Sequence, residues 1–230
     1  MVAQSSADSS RSQTLDRGLR ALNLIATSPA PLTIDEVAEQ LDLGRSVTYR
    51  MIRTLEDHRL VVRDASGRLT GGTQLVVLAG GVSAEMKAIA APILIDLANT
   101  LEMTSFLVVP EDQEAVTVQV AEPTSTAAHV AYRPGTRHPL DRGAPGIALL
   151  AGLDPQPNER AEVTTARNSG WAYSEGEVIK GMASIAAPIT TNDGTTKAAV
   201  AVVHLALSLN SHDVAPLVVS AANTLGLKLS

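Results

Sequence analysis

Arg45, Arg50, Arg53 and Arg59 fall within LGRSVTYRMIRTLEDHRL, residues 43–60 of a 230-residue chain whose formal charge is −6. A guanidinium offers donors in a flat fork that matches guanine O6 and N7, or two phosphate oxygens. Ser46 and Tyr49, in the same stretch, add hydroxyls suited to base edges or phosphate. Residues 43–68 hold six arginines against Glu56, Asp57 and Asp64, a local net charge of +3. That is duplex-binding chemistry set into an acidic protein.

A helix must aim these groups. At about 100° per residue, Val47, Met51 and Leu55 share one face with Thr48 and Ile52, while Ser46, Tyr49, Arg50 and Arg53 take the opposite one. The apolar stripe packs inward and the polar groups face out. Arg45 and Ser46 open the helix, the end that enters deepest when such a helix lies in a major groove. Arg68, in a later turn, can reach phosphate or the minor groove.

The surroundings fit this use. Residues 1–13 are polar and Ser-rich and read as a disordered tail without a signal peptide. TLDRGLRALNLIATS (14–28) spaces Leu15, Leu19, Leu22 and Ile25 as a helix, ended by Pro29 and Pro31. TIDEVAEQL (33–41) opens with Thr33 and Glu36 as a capping box, Asp42-Leu43-Gly44 turns the chain, and the arginine helix follows from about Ser46 to Asp57. LVVRDASGRLT (60–70) reads as a hairpin turning at Gly67. Helix, helix, turn, helix and hairpin within residues 14–72 is the order of a winged helix-turn-helix DNA-binding domain.

Gly71-Gly72 ends that module; residues 73–103 are largely helical with interruptions near Gly80-Gly81 and Pro92, and 73–91 read as a linker helix before the opening helix of another domain. The remainder, 92–230, carries strand patterns at 104–109, 115–121, 128–133, 182–190 and 197–207, with helices at 143–153, 158–170 and 211–229. Strands interleaved with helices make this an α+β chain whose second domain is an antiparallel sheet with flanking helices. The charge divides the same way. Residues 1–72 are neutral and the whole −6 lies beyond them.

A second group of residues suits chemistry of another kind. Gly143-Ala144-Pro145-Gly146 opens a helix, where free N–H groups and the positive end of the dipole favour a carboxylate, with Arg142 adjacent. Glu175 and Glu177 alternate on a loop, the spacing of a carboxylate pair or simply of a solvated turn. His129, His138, His204 and His212 have no metal-ligand spacing, and with no cysteine there is no thiolate chemistry of any sort. No G-x-S-x-G, zinc or phosphate-loop motif occurs, so no catalytic residue, metal or cofactor is assigned. Five aromatic side chains are too few for a surface that stacks single-stranded bases. The longest apolar run, 198–209, is too short to cross a bilayer and contains His204, which points to a cytoplasmic protein with no membrane partner.

Taken in order, SQTLDRGLRALNLI, LTIDEVAEQLDLGRSVTYRMIRTLEDHRLV and GRLTGG, followed by RPGTRHPLDRGAPGIALLAG, GMASIAAPIT and NDG, resemble the IclR-type bacterial transcriptional regulators over residues 12 to about 229. The resemblance implies a GAF-like effector-binding domain after the linker helix, assembly as a homodimer or homotetramer, and control of promoters through a double-stranded DNA operator. The implied effector is a small carboxylic acid. Its site would use the amides of Gly143 and Ala144 with side chains at Ser174, Ser184 and Ala201. The chain departs from the family where Ser46-Val47-Thr48-Tyr49-Arg50 stands for a frequent Ser-Thr-Val-His-Arg. It departs again where Ser174 replaces a frequent Asp and Ala201 a frequent Ser, which implies a less polar or larger ligand. The alternatives are a small metabolite-processing enzyme built on the C-terminal domain and a protein-binding winged helix.

Overall fold

The structure, a computed structural model, describes residues 12–125, 130–206 and 210–230. It divides into two compact units, Met1–Val82 and Ser83–Ser230. The polar tail lies outside the described residues as far as residue 11, and Gln13 already belongs to the first helix.

In the first unit, α1 (Gln13–Thr27), α2 (Ile34–Gln40) and α3 (Arg45–Asp57) surround a small core of Ala21, Ile25, Val37, Ile52, Leu55, Val61 and Leu69. The start of α2 is fixed by the capping box: Thr33 Oγ1 accepts from Glu36 N at 3.2 Å, and Glu36 Oε2 accepts from Thr33 N at 2.6 Å. β1 (Val61–Arg63) and β2 (Leu69–Gly71) form the hairpin, and Leu32 joins it through a bridge to Leu69. Asp64 Oδ1 accepts from Ser66 N and Arg68 N, both at 2.9 Å, while Gly67 supplies the left-handed backbone at φ +83°. This is the winged helix-turn-helix, closed by α4 (Gln74–Gly80). Only the later half of the α1 stripe is core. Leu15 and Leu19 stand exposed, as do Val76, Val77 and Leu78 of α4.

The second unit opens with α5 (Ala84–Leu101). A single linker helix over 73–91 therefore does not form. The chain breaks between Gly80 and Ala84, with Ser83 left-handed at φ +49°, and α5 runs straight on through Pro92. Burial of Ala90, Leu94, Leu97 and Ala98 on one face of α5 outweighs the hydrogen bond that proline removes. A boundary at 91/92 would cut this helix, whereas the compact units meet at 82/83.

The sheet runs β5 (Arg137–Pro139), β4 (Glu114–Ala121), β3 (Thr104–Glu111), β8 (Thr196–Leu205), β7 (Met182–Thr190) and β6 (Ala172–Glu175), antiparallel throughout. Alternation along β8 sends Ala198, Val200 and Val202 to a core shared with α5 and α8 (Ser211–Lys228). Ala199, Ala201 and Val203 face a second core with α6 (Gly143–Ala151) and α7 (Ala161–Ser169). The molecule is α+β, with helices on both faces of one antiparallel sheet. Two strands differ from the sequence pattern. Of the strand expected at 128–133, residues 128–129 lie outside the described residues and 130–133 are irregular, so that β5 makes the edge instead. β6 carries no extended apolar run, only alternate burial of Ala172 and Ser174, and is fixed by pairing with β7. Leu207, at the expected end of β8, is likewise outside the described residues.

Candidate functional site

Two places collect chemistry, one in each unit. On α3 the buried residues are Thr48, Met51, Ile52 and Leu55, and Thr48 satisfies its hydroxyl by donating to Gly44 O at 3.3 Å. Arg45, Ser46, Tyr49, Arg50 and Arg53 are all exposed, and the first four line one shallow concavity. Arg45 Nε lies 3.0 Å from Asp35 Oδ1, and Arg53 Nε 3.7 Å from Asp57 Oδ1. Exposed pairs of this kind contribute under about 1 kcal/mol, so either guanidinium exchanges readily for a phosphate. Arg50 has no ion pair among the described residues. Arg63 is held to Glu56 by two bonds of 3.0 and 3.2 Å and sits 5.9 Å from the centre of the Tyr49 ring, bracing it. Arg68 turns back onto Pro31 O at 3.0 Å and lies 3.7 Å from Glu36, so part of its donor set is already used. The structure thus brings Arg45, Ser46, Tyr49 and Arg50 together, keeps Arg53 a turn further on, and ties Arg68 to the capped end of α2.

The second place is a cavity of about 30 Å³ between the start of α6, β6, the sheet and the segment 176–181. Phe106, Tyr132, Val178, Ile179 and Met182 give it apolar walls, and Phe106 stacks on Tyr132 with ring centres 4.5 Å apart. Ser174, Ser184, His138 and Glu177 supply polar groups. Gly143 has φ +75°, and a Cβ on it would lie 2.6 Å from Val178 Cγ2, so this glycine is what lets the 176–181 segment close down.

The α6 amides are not free, contrary to the expectation from sequence. Gly143 N donates to Glu177 Oε2 at 2.8 Å, and Ala144 N donates to Ser174 Oγ at 2.7 Å. Glu177 is held in turn by Arg160, whose Nη1 and Nη2 reach its two oxygens at 3.2 and 2.9 Å. The Arg160 guanidinium, helped by the Gly143 N–H, keeps the Glu177 carboxyl below the usual carboxylate range, against the opposing effect of burial. The protein's own carboxylate therefore fills the anion site at the head of α6. Glu175 points away and accepts from Tyr173 Oη at 2.9 Å in solvent, so the two glutamates do not act as a pair.

Other expected residues divide. Ser184 lines the cavity, its hydroxyl donating to Val202 O at 2.9 Å. Ala201 does not line it: fully buried on β8, it packs in the core beneath α6. His138, which the sequence marked only as a histidine without metal-ligand spacing, is 6 % exposed and lines the cavity, with its Nδ1 3.1 Å from Pro139 O and its Nε2 buried with no hydrogen-bond partner among the described residues. A carbonyl only accepts, so Nδ1 is the donor of that contact, and in the neutral ring with that tautomer Nε2 is an acceptor. Nothing local in RHP marks this histidine, and Arg160 lies too far from Glu177 in sequence for any motif to join them.

A family model for the IclR helix-turn-helix domain matches residues 14–65, and one for the bacterial transcriptional regulator IclR C-terminal domain matches residues 156–230. The HTH-type transcriptional regulator Rv1719 of Mycobacterium tuberculosis is 29% identical over 198 residues, 76% of each chain. Among solved structures, an IclR transcriptional regulator from Alicyclobacillus acidocaldarius superposes with a TM-score of 0.80 at 22% identity, over 94% of this chain and 98% of that one. An IclR homologue from Microbacterium hydrocarbonoxydans, complexed with 4-hydroxybenzoate, gives 0.81 at 19% identity, over 94% of this chain and 100% of that one.

Proposed function

The chain belongs to the IclR family of bacterial transcriptional regulators, and from that premise we propose that it reads its operator with Arg45, Ser46, Tyr49, Arg50 and Arg53 of α3 in the major groove. The observation that carries this is the exposed guanidinium of Arg50, without an ion pair among the described residues, on a helix whose opposite face is core. Arg50 reads a base edge, whereas Arg45, Arg53 and the remaining donors of Arg68 contact phosphate. The test is selection of binding sites from randomised duplex DNA, followed by titration of Arg50→Ala on the selected site. Loss of about 1–3 kcal/mol on that site, with little change on random DNA, is the expected result. Equal affinity of variant and wild type for the selected site overturns the assignment.

The C-terminal domain binds an effector. We assign that role to the cavity at the head of α6, with Ser174, Ser184, Gly143 and Ala144 around it. The homologue solved with 4-hydroxybenzoate supports a small organic molecule as its occupant. The role is binding without turnover, and the relatives, named as regulators, lend the enzyme alternative no support. The working form is a homodimer that presents two α3 helices to two half-sites. The exposed apolar groups of α1 and α4 support self-association. A cytoplasmic location follows from work on chromosomal DNA. Among the described residues no single helix is long and apolar enough to cross a membrane.

A further inference from the structure

We infer that the effector of this chain is a compact, uncharged hydroxyl compound, a phenol or cyclic alcohol in kind, because Glu177 already occupies the anion site at the head of α6 and His138 waits for a donor. The inference rests on the cavity being the effector site.

The two amides that would hold a carboxylate are spent, one on Glu177 and one on Ser174. An anionic ligand would have to expel Glu177, which also breaks both bonds to Arg160. If Glu177 stayed, the ligand's charge would lie beside a carboxylate in a poorly hydrated space, where like charges repel strongly. Neither cost falls on a neutral molecule.

What remains open in the cavity asks for a hydroxyl. His138 lines the cavity and its Nε2 is buried with no hydrogen-bond partner among the described residues, and such atoms in folded proteins are rare enough to need an explanation. Ser174 accepts from Ala144 N, and no acceptor for its own proton is found among the described residues. A ligand O–H can donate to the first and accept from the second. The other walls are the Phe106 and Tyr132 rings with Val178, Ile179 and Met182, which suit an apolar ring.

The present space, about 30 Å³, holds roughly one water. The ligand therefore takes the place of Val178 and Ile179, which are 40% and 38% exposed on a segment bounded by left-handed Gly176 and Gly181. No strand or helix has to open for these two side chains to move outward.

The experiment uses the full chain and matched probes at neutral pH: phenol and cyclohexanol against benzoate and cyclohexanecarboxylate, measured by calorimetry. The wild type is expected to bind the neutral pair about ten-fold or more tighter than the anions. His138→Phe, which keeps a ring but loses the acceptor, should lose that advantage, and His138→Gln, which returns an acceptor oxygen, should restore part of it. Glu177→Gln should narrow the gap by letting the anions gain, since the carboxylate that repels them is gone while Arg160 keeps its charge and its pair with Glu162. Circular dichroism melting of each variant separates loss of binding from loss of fold. Tighter binding of the carboxylates, still sensitive to His138→Phe or Glu177→Gln, overturns the ligand class and leaves the cavity as the effector site. Binding indifferent to every variant, or no binding by either pair, overturns the cavity reading itself.

Discussion

Arg50 and Arg68 look alike in the sequence and differ in the folded chain by what surrounds the guanidinium. Arg50 stands on the solvent side of α3 without an ion pair among the described residues, whereas Arg68 is turned onto Pro31 O. A single-residue change at each should therefore read out differently. Arg68→Ala costs less specificity than Arg50→Ala and acts mainly on phosphate attraction. At the head of α6 the decisive residue is Gly143. Its left-handed φ strains any other residue, and a Cβ there meets Val178 Cγ2 at 2.6 Å. Gly143→Ala is expected to destabilise by about 1–3 kcal/mol and to lower the melting temperature by several degrees, checked by thermal denaturation. The same clash should push the 176–181 segment outward and speed hydrogen exchange there. His138 and Glu177 mark the limit of residue-level reading. Whether a histidine nitrogen is orphaned, or a glutamate caps a helix more than thirty residues earlier, depends on groups distant in sequence.

At the scale of the element, local chemistry predicts well where it is self-contained. The capping box of α2 was legible because Thr33 and Glu36 satisfy each other within one turn. Thr33→Ala is expected to cost about 1 kcal/mol, seen as an earlier midpoint in urea. The arginine helix and the hairpin were legible for the same reason. The joint between α6 and α7 was not. There Arg167 caps the end of α6, donating to Ala151 O at 3.2 Å and Leu150 O at 3.3 Å, and pairs with Glu159. The Arg167 side chain pulls the Glu159 carboxyl from its ordinary value of 4.5 down to about 2. A carboxyl depressed in the folded state gives stability that is present above its unfolded pKa and is lost as pH falls through the folded one. The melting temperature should therefore decline between pH of about 4.5 and about 2. Glu159→Gln should start lower at neutral pH and decline less across that window, which melting curves at stepped pH will measure. The continuity of α5 through Pro92 and the short strands β5 and β6 escaped the sequence pattern because packing and edge pairing, not propensity, decide them.

For the molecule as a whole, charge and exposed apolar surface set behaviour. The net charge of −6 lies entirely beyond residue 72, so attraction to DNA depends on a local field around α3. Such binding should weaken steeply with added salt, since each phosphate contact releases a counterion. Val76 and Val77 are 75% and 67% exposed on α4. The proposed dimer predicts that a double change to Val76→Asp and Val77→Asp shifts the protein toward monomer in analytical ultracentrifugation. Binding to a two-half-site operator should fall with it, while the melting of the monomer changes little, because neither side chain is core.

By itself the sequence determined what short-range rules control: the helix periods, the capping box, the turn at Gly67, the α+β order and which face of α3 would carry arginine. These depend on spacing within one or two turns, which the chain encodes directly. Only the tertiary structure decided how the head of α6 is used. His138, Arg160 and the Ser174–Glu177 stretch come from three separate parts of the chain, and their meeting depends on sheet order and on how closely the 176–181 segment packs over Gly143. A free amide pair is what the local sequence offers. Whether it stays free depends on the nearest carboxylate in space, and no spacing in the chain states that distance.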